Sequence, residues 1–141
     1  MYRMFITEAL RGKQGFATAG AAITLQATED GADDDHITVG ANVQSTGGGL
    51  VTLNAGANVV QNAGTISTAG NVDVNADYDG SGTGIINQVG GNITAADLFL
   101  DAAGAITVNQ ATNDAATLDA STAGAGDITY QDVSAIILTD V

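Results

Sequence analysis

Apolar residues in this chain fall in short alternating runs, and one five-residue phrase recurs: apolar, variable, apolar, polar, Ala. It reads ITLQA from Ile23, VTLNA from Val51, VDVNA from Val72, LFLDA from Leu98 and ATLDA from Ala116, at spacings of 28, 21, 26 and 18 residues. A second apolar piece follows each phrase: HITVGA at His36, NVVQNA at Asn58, GIINQV at Gly84, AITVNQ at Ala105 and DITYQD at Asp127. A third, weaker piece comes next: NVQS at Asn42, TIST at Thr65, NITA at Asn92 and AIIL at Ala135, with the nearly apolar-free ATND at Ala111 in the fourth unit.

Each piece is too short for a helix, and the alternation has the period of two that a strand with one buried face requires. Ile23, Leu25 and Ala27 point inward; Thr24 and Gln26 point outward. Three short strands per unit make one triangular winding of a β-solenoid. The expected fold is all-β: a parallel β-helix of about five coils, on the order of 24 Å long at the spacing of neighbouring strands. An antiparallel sandwich also uses short strands, but it gives no reason to open every unit with the same phrase. Stacked coils do, because each inward side chain sits on its counterpart in the neighbouring coil: Val51 on Ile23, Leu53 on Leu25, Ala55 on Ala27.

Two details follow from stacking. The fourth position of the phrase runs Gln26, Asn54, Asn75, Asp101, Asp119, so amides there can bond up the rod. Asp101 and Asp119 are then like-charged neighbours, of which one is partly protonated, or which splay into solvent or hold a cation between them. The links from first to second strand vary from GA to TEDGADDD, so insertions are expected to bulge from one corner while the strands keep their stack.

Residues 1–20 read as a cap or lead-in and 21–141 as the repeats. Phe5, Ile6, Ala9 and Leu10 have helical spacing, with Gly12 as a stop, so a short capping helix is expected, assisted by Phe16. The last segment, SAIILTDV, ends on an apolar strand. From it two expectations follow: the chain is a piece of something longer, or its edge takes part in end-to-end self-association.

Composition narrows the function classes. The 141 residues include no Cys and no Pro, 19 Gly, and a net charge of −13. All the basic residues, Arg3, Arg11 and Lys13, lie in the first 13 positions. A surface this acidic repels phosphate backbones and anionic lipid, which argues against nucleic-acid binding. No segment has the length and apolarity of a membrane span, and Glu8 and Arg11 interrupt any signal-peptide-like run at the start.

The candidate chemistry is carboxylate chemistry. DYDGSGTG, Asp77 to Gly84, places Asp77 and Asp79 at alternate positions with Gly, as oxygen-rich calcium loops do. EDGADDD, Glu29 to Asp35, adds Asp33 and Asp35, and both loops are expected at the same corner, two coils apart. The plainer reading is a pair of solvated acidic turns. His36 has no second His or Cys with which to build a zinc site. Beside Asp35 it suggests an acid/base pair, but neighbours in a strand face opposite ways, so a strand-start role is expected. Asp33, Asp34 and Asp35 also invite comparison with glycan hydrolysis, yet no aromatic platform or basic residue accompanies them, so no catalytic residue is assigned. Thr24, Thr52, Thr117 and Thr129 suggest an ice-binding array that Asp73 and Phe99 interrupt.

The segments AAITLQA, GLVTLNAGANVVQNAGTISTAGNVDVNA and GGNITAADLFLDAAGAITV resemble the repeats of filamentous-haemagglutinin-like proteins, large secreted bacterial adhesins. The resemblance covers about residues 21–141. It implies a right-handed parallel β-helix, an extracellular or cell-surface location, and a stalk whose partners are glycans or proteins of a host or neighbouring cell. The export-directing domain of that family is not recognisable, and no binding residue carries over. The expected function is a non-catalytic structural or adhesive rod segment. The alternatives are a calcium- or carbohydrate-binding solenoid and, behind it, a polysaccharide-active enzyme.

Overall fold

In the computed structural model, which describes residues 4–5, 15–28 and 35–141, the alternating runs become strands wound into a parallel β-helix. The strands are β1 (Met4–Phe5), β2 (Phe16–Thr18), β3 (Ile23–Ala27), β4 (Ile37–Val39) and β5 (Val43–Ser45). They continue as β6 (Val51–Ala55), β7 (Val59–Gln61), β8 (Thr65–Thr68), β9 (Val72–Ala76) and β10 (Ile86–Gln88). The last are β11 (Asn92–Ala102), β12 (Ile106–Val108), β13 (Asp114–Thr122), β14 (Ile128–Tyr130) and β15 (Ile137–Asp140). No helix occurs among the described residues.

Three faces close around one core. The first stacks β1, β3, β6, β9, the second half of β11, the second half of β13, and β15. The second stacks β4, β7, β10, β12 and β14, and the third stacks β2, β5, β8 and the first halves of β11 and β13. Every one of these pairings is parallel.

The core is a set of columns. Ile23, Val51, Val72, Leu98 and Leu118 pair in sequence along the first face, and so do Leu25, Leu53, Val74, Leu100 and Ala120. All ten are buried. Burying such a Val, Leu or Ile side chain contributes roughly 1.5–3 kcal/mol, so strands of three to five residues, too short to persist alone, hold together through their columns. Ala27, Ala55 and Ala76 pair at the end of the first strand, where the chain turns toward the second face.

The corner between the third and first faces is built in two ways. In the earlier coils a hydroxyl caps it: Thr18 and Ser45 donate to the carbonyl of Ala21 at 2.7 and 3.0 Å, and Thr68 to that of Gly49 at 2.7 Å. In the later coils the paired residues Ala95 and Ala115 stand at this place, and β11 and β13 run through the corner as single long strands. The Ala96 amide still bonds across to the Gly70 carbonyl at 2.8 Å, so the backbone ladder survives without a cap.

This corner explains where the sequence misleads. The fifth phrase begins at Leu118, not Ala116, because Leu98 pairs with Leu118. The slip of two residues preserves parity: Leu118 and Ala120 are buried, while Ala116 is exposed on the uninterrupted strand. Asp101 therefore pairs with Ser121, and Asp119 with Phe99, so the expected Asp101–Asp119 contact between neighbouring coils does not form. The coil advances are 28, 21, 26, 20 and 20 residues. AIIL also moves: β15 pairs with β13 on the first face and starts a sixth winding. The third face of the fifth coil is instead Asp132–Ser134, where the Val133 amide bonds the Asn113 carbonyl at 2.8 Å.

At the other end, Met4–Phe5 is a strand beside β3, so Phe5 does not begin a helix. The rest of the expected capping helix, from Ile6 to Gly12, lies outside the described residues. Phe16 belongs to β2, which extends the third face by pairing with β5.

Candidate functional site

The two longest links both join the first face to the second. Residues 28–36 connect β3 to β4, and 77–85 connect β9 to β10. Between them, in the middle coil, the link is only Gly56–Asn58. Backbone bonds carry the stack through this corner: the Ala57 amide donates to the Asp35 carbonyl at 3.0 Å, and the Asp77 amide to the Ala57 carbonyl at 3.2 Å.

Gly56 leaves room for the side chains of Asp35 and Asp79 to approach each other. A Cβ placed there would lie 2.9 Å from Oδ2 of Asp79 and 3.3 Å from Oδ2 of Asp35. The small residue is thus the floor on which carboxylates from the first and third coils converge. Asp35 is buried. Asp77 behaves differently. Its backbone takes φ 71°, and its Oδ1 accepts from the Ser81 hydroxyl at 3.0 Å and the Gly82 amide at 2.7 Å. Oδ1 of Asp79 accepts from the Ser81 amide at 3.1 Å. A carboxylate that closes its own loop in this way is an Asx-type turn. Of the four carboxylates singled out in the sequence, Asp35 and Asp79 are brought together, Asp77 serves its loop, and Asp33 lies outside the described residues. Among the described residues, no group of three or more His, Cys, Asp or Glu side chains is placed to share an ion.

His36 takes the strand-start position expected of it, just before β4. Its Nδ1 accepts from the Asn58 amide in the next coil at 3.2 Å, and Oδ1 of Asn58 accepts from the Ile85 amide one coil further at 2.9 Å. The corner between the second and third faces repeats the device, with the Thr65 amide donating to Oδ1 of Asn42 at 2.9 Å. These side chains satisfy backbone donors where the chain leaves one face for the next.

A buried amide ladder is the polar feature that the phrase alone does not announce. Gln61, Gln88 and Asn113 are all buried at the corner between the second and third faces. Gln88 Nε2 donates to Oε1 of Gln61 at 2.9 Å and to Oδ1 of Asn113 at 2.8 Å, while Asn113 Nδ2 returns a bond to Oε1 of Gln88 at 2.8 Å. Gln61 Nε2 reaches the carbonyls of Gly64 and Asn92, both at 3.0 Å, and the Ile93 amide donates to Oδ1 of Asn113 at 2.9 Å. Among the described residues every buried side-chain nitrogen and oxygen has a partner. Strand parity signals this ladder: if Val59 points inward, so does Gln61. The ladder expected at the fourth phrase position is present in part, as Asn75 Nδ2 donates to Oδ1 of Asn54 at 2.8 Å.

Two aspartates on the later coils have shifted acidities. Burial pushes the Asp73 carboxyl up; a hydrogen bond from Asn75 opposes the rise and the charge of Asp101 adds to it. For Asp132, burial also works against ionisation, but bonds from the Tyr130 hydroxyl, the Ser134 and Ala115 amides and the Ser134 hydroxyl outweigh it and hold the carboxyl low. The Tyr130 phenol is pushed up, by burial first and by its 2.6 Å bond to Asp132 second. The threonine array does not assemble. Thr24 and Thr52 pair, Thr117 pairs with Asp97 in a different column, and Thr129 lies on the second face.

Compared with known proteins, the chain matches no family model, no curated protein and no solved structure. The likeness to filamentous-haemagglutinin repeats accordingly rests on the recurring phrase itself.

Proposed function

We propose that this chain is a rod segment of a secreted or cell-surface bacterial adhesin: a structural spacer that presents its surface to glycans or proteins of another cell, and not an enzyme. One observation carries the reading. The column from Ile23 to Leu118 stays in register through five coils while the links from the first face to the second range from three to nine residues. A stack that tolerates insertions without losing register is suited to holding things at a distance and to varying what it displays. The polar side chains with the best geometry, Gln61, Gln88 and Asn113, bond coil to coil. The test duplicates residues 51–71, one coil, and measures both proteins by small-angle scattering. The rod should lengthen by about 4.8 Å with its cross-section unchanged. An unchanged long dimension, or release of reducing ends from polysaccharides in proportion to protein concentration, would overturn the reading.

A second reading is favoured by the approach of Asp35 and Asp79 over Gly56. Two carboxylates this close are a starting point for a weak calcium site that ties the two insertion loops together. It requires the melting temperature to rise with millimolar calcium, since a ligand bound only by the folded state stabilises that state. Asp35→Asn combined with Asp79→Asn should remove the rise. A melt indifferent to calcium removes this reading and leaves the spacer untouched.

A further inference from the structure

We propose that the outer surface of the first face docks an arginine-bearing polypeptide, with Phe99 as a stacking platform and the aspartates around it as hydrogen-bond acceptors. This needs only the fold, so it stands or falls separately from the adhesive reading. Phe99 lies in β11 between the buried Leu98 and Leu100, faces outward and is 38% exposed. Its neighbours on that surface are carboxylates. Register sets Asp73 of the coil before and Asp119 of the coil after beside it. Strand parity sets Asp97 and Asp101 two residues away on the same side. Strands here are roughly 4.8 Å apart, and side chains of one face roughly 6.6 Å apart along a strand, so the four carboxylates ring the aromatic side chain.

Three of the four are held in place from alongside. Oδ1 of Asp73 accepts from Asn75 Nδ2 at 3.1 Å, Oδ1 of Asp97 from the Thr117 hydroxyl at 2.7 Å, and Oδ1 of Asp101 from the Ser121 hydroxyl at 3.0 Å. No side-chain cation of the described residues answers them, since none of these residues is Lys or Arg. Burial first, and the charge of Asp101 against the opposing bond from Asn75, push the Asp73 carboxyl up. A cation seated beside it would reverse that shift.

The charge and the ring together select the occupant. An aromatic face attracts a cation held within about 6 Å of its centre. A guanidinium stacks flat on the ring and points its N–H groups outward in its own plane, toward carboxylates on the rim. A calcium ion needs several oxygens at about 2.3–2.6 Å around it, whereas hydrocarbon fills the middle of this array. A neutral sugar could stack on Phe99 but would leave the four charges unanswered. An aromatic anchor surrounded by polar groups is also how the tightest part of a protein–protein contact is commonly built.

The experiment titrates the full chain with a blocked hexa-arginine peptide in a calorimeter at low salt, beside hexalysine and cellohexaose. Hexa-arginine should bind more tightly than hexalysine, and salt should weaken it by screening. Phe99→Leu keeps an apolar side chain but removes the ring, and should weaken hexa-arginine by about two- to fivefold, more than hexalysine. Asp73→Asn with Asp119→Asn should weaken it by about fivefold or more. The control, Asp114→Asn with Asp127→Asn, removes the same charge away from the first face and should cost clearly less. Circular dichroism and melting temperature should show every variant folded, since the changed side chains face outward. No binding of hexa-arginine, a Phe99→Leu variant that binds as the unmodified chain does, a control that loses as much as the Asp73 and Asp119 pair, or binding of cellohexaose in place of the peptide would overturn the proposal.

Discussion

Gln88 shows how a single buried side chain can belong to three coils at once. Its amide joins Gln61 in the coil before and Asn113 in the coil after, with no exposed partner in either direction. Replacing it takes the donor from Oε1 of Gln61 and the acceptor from Asn113 Nδ2 and the Gln110 amide. Each unmet buried polar group costs roughly 1–3 kcal/mol, so Gln88→Ala should lower the unfolding free energy by about 3 kcal/mol or more in urea titration. A change at an exposed position such as Asn109→Ala should stay within about 0.5 kcal/mol. Asp73 and Asp132 should respond oppositely to pH. The lowered carboxyl of Asp132 contributes stability that is present above the ordinary aspartate range and lost as pH falls through its own value. The raised carboxyl of Asp73 works the other way: stability is full below the ordinary range and declines as pH rises through the raised value. At neutral pH, Asp132→Ala should therefore lower the melting temperature and Asp73→Asn should raise it; a shared sign would contradict these assignments.

Strands and corners show which parts of the fold can be read from residues alone. The phrases at Ile23, Val51, Val72 and Leu98 pair as their letters suggest, because inward Val, Ile and Leu at period two leave one register that buries them all. The fifth phrase misleads because ATLDA fits the pattern while β13 crosses its corner without a turn; the Ala at position 115, where Thr68-type hydroxyls cap other coils, is the local sign of that crossing. The inward amides were visible in parity but lie outside the apolar pattern. The meeting of Asp35 with Asp79 was legible as a shared corner, whereas the role of Asp77 depended on a backbone conformation that no spacing encodes. Corner loops should be separable from the stack. Deleting residues 78–83 leaves three linking residues between β9 and β10, as at Gly56–Asn58. Loop length enters stability only logarithmically, so this deletion should change the unfolding free energy by about 1 kcal/mol or less. Gly91→Ala, at φ 83° with its new Cβ 2.1 Å from the Gly64 carbonyl oxygen, should cost far more. Thermal melts of the two variants compare them directly.

The whole molecule is a stack in which each winding touches only its neighbours, so its surface varies along its length while its interior does not. Among the described residues the aspartates other than Asp35 reach the outside, the buried amides run along one inner corner, and the two longest links share another. The pairing distances have a consequence for how the chain acquires this shape. Successive strands of a face are separated by only 20 to 28 residues along the first face. No strand there waits for a partner from the far end of the sequence. A polypeptide emerging gradually from a ribosome or a narrow pore has each new turn's template already laid down beside it, so order can advance behind the moving end like a zip.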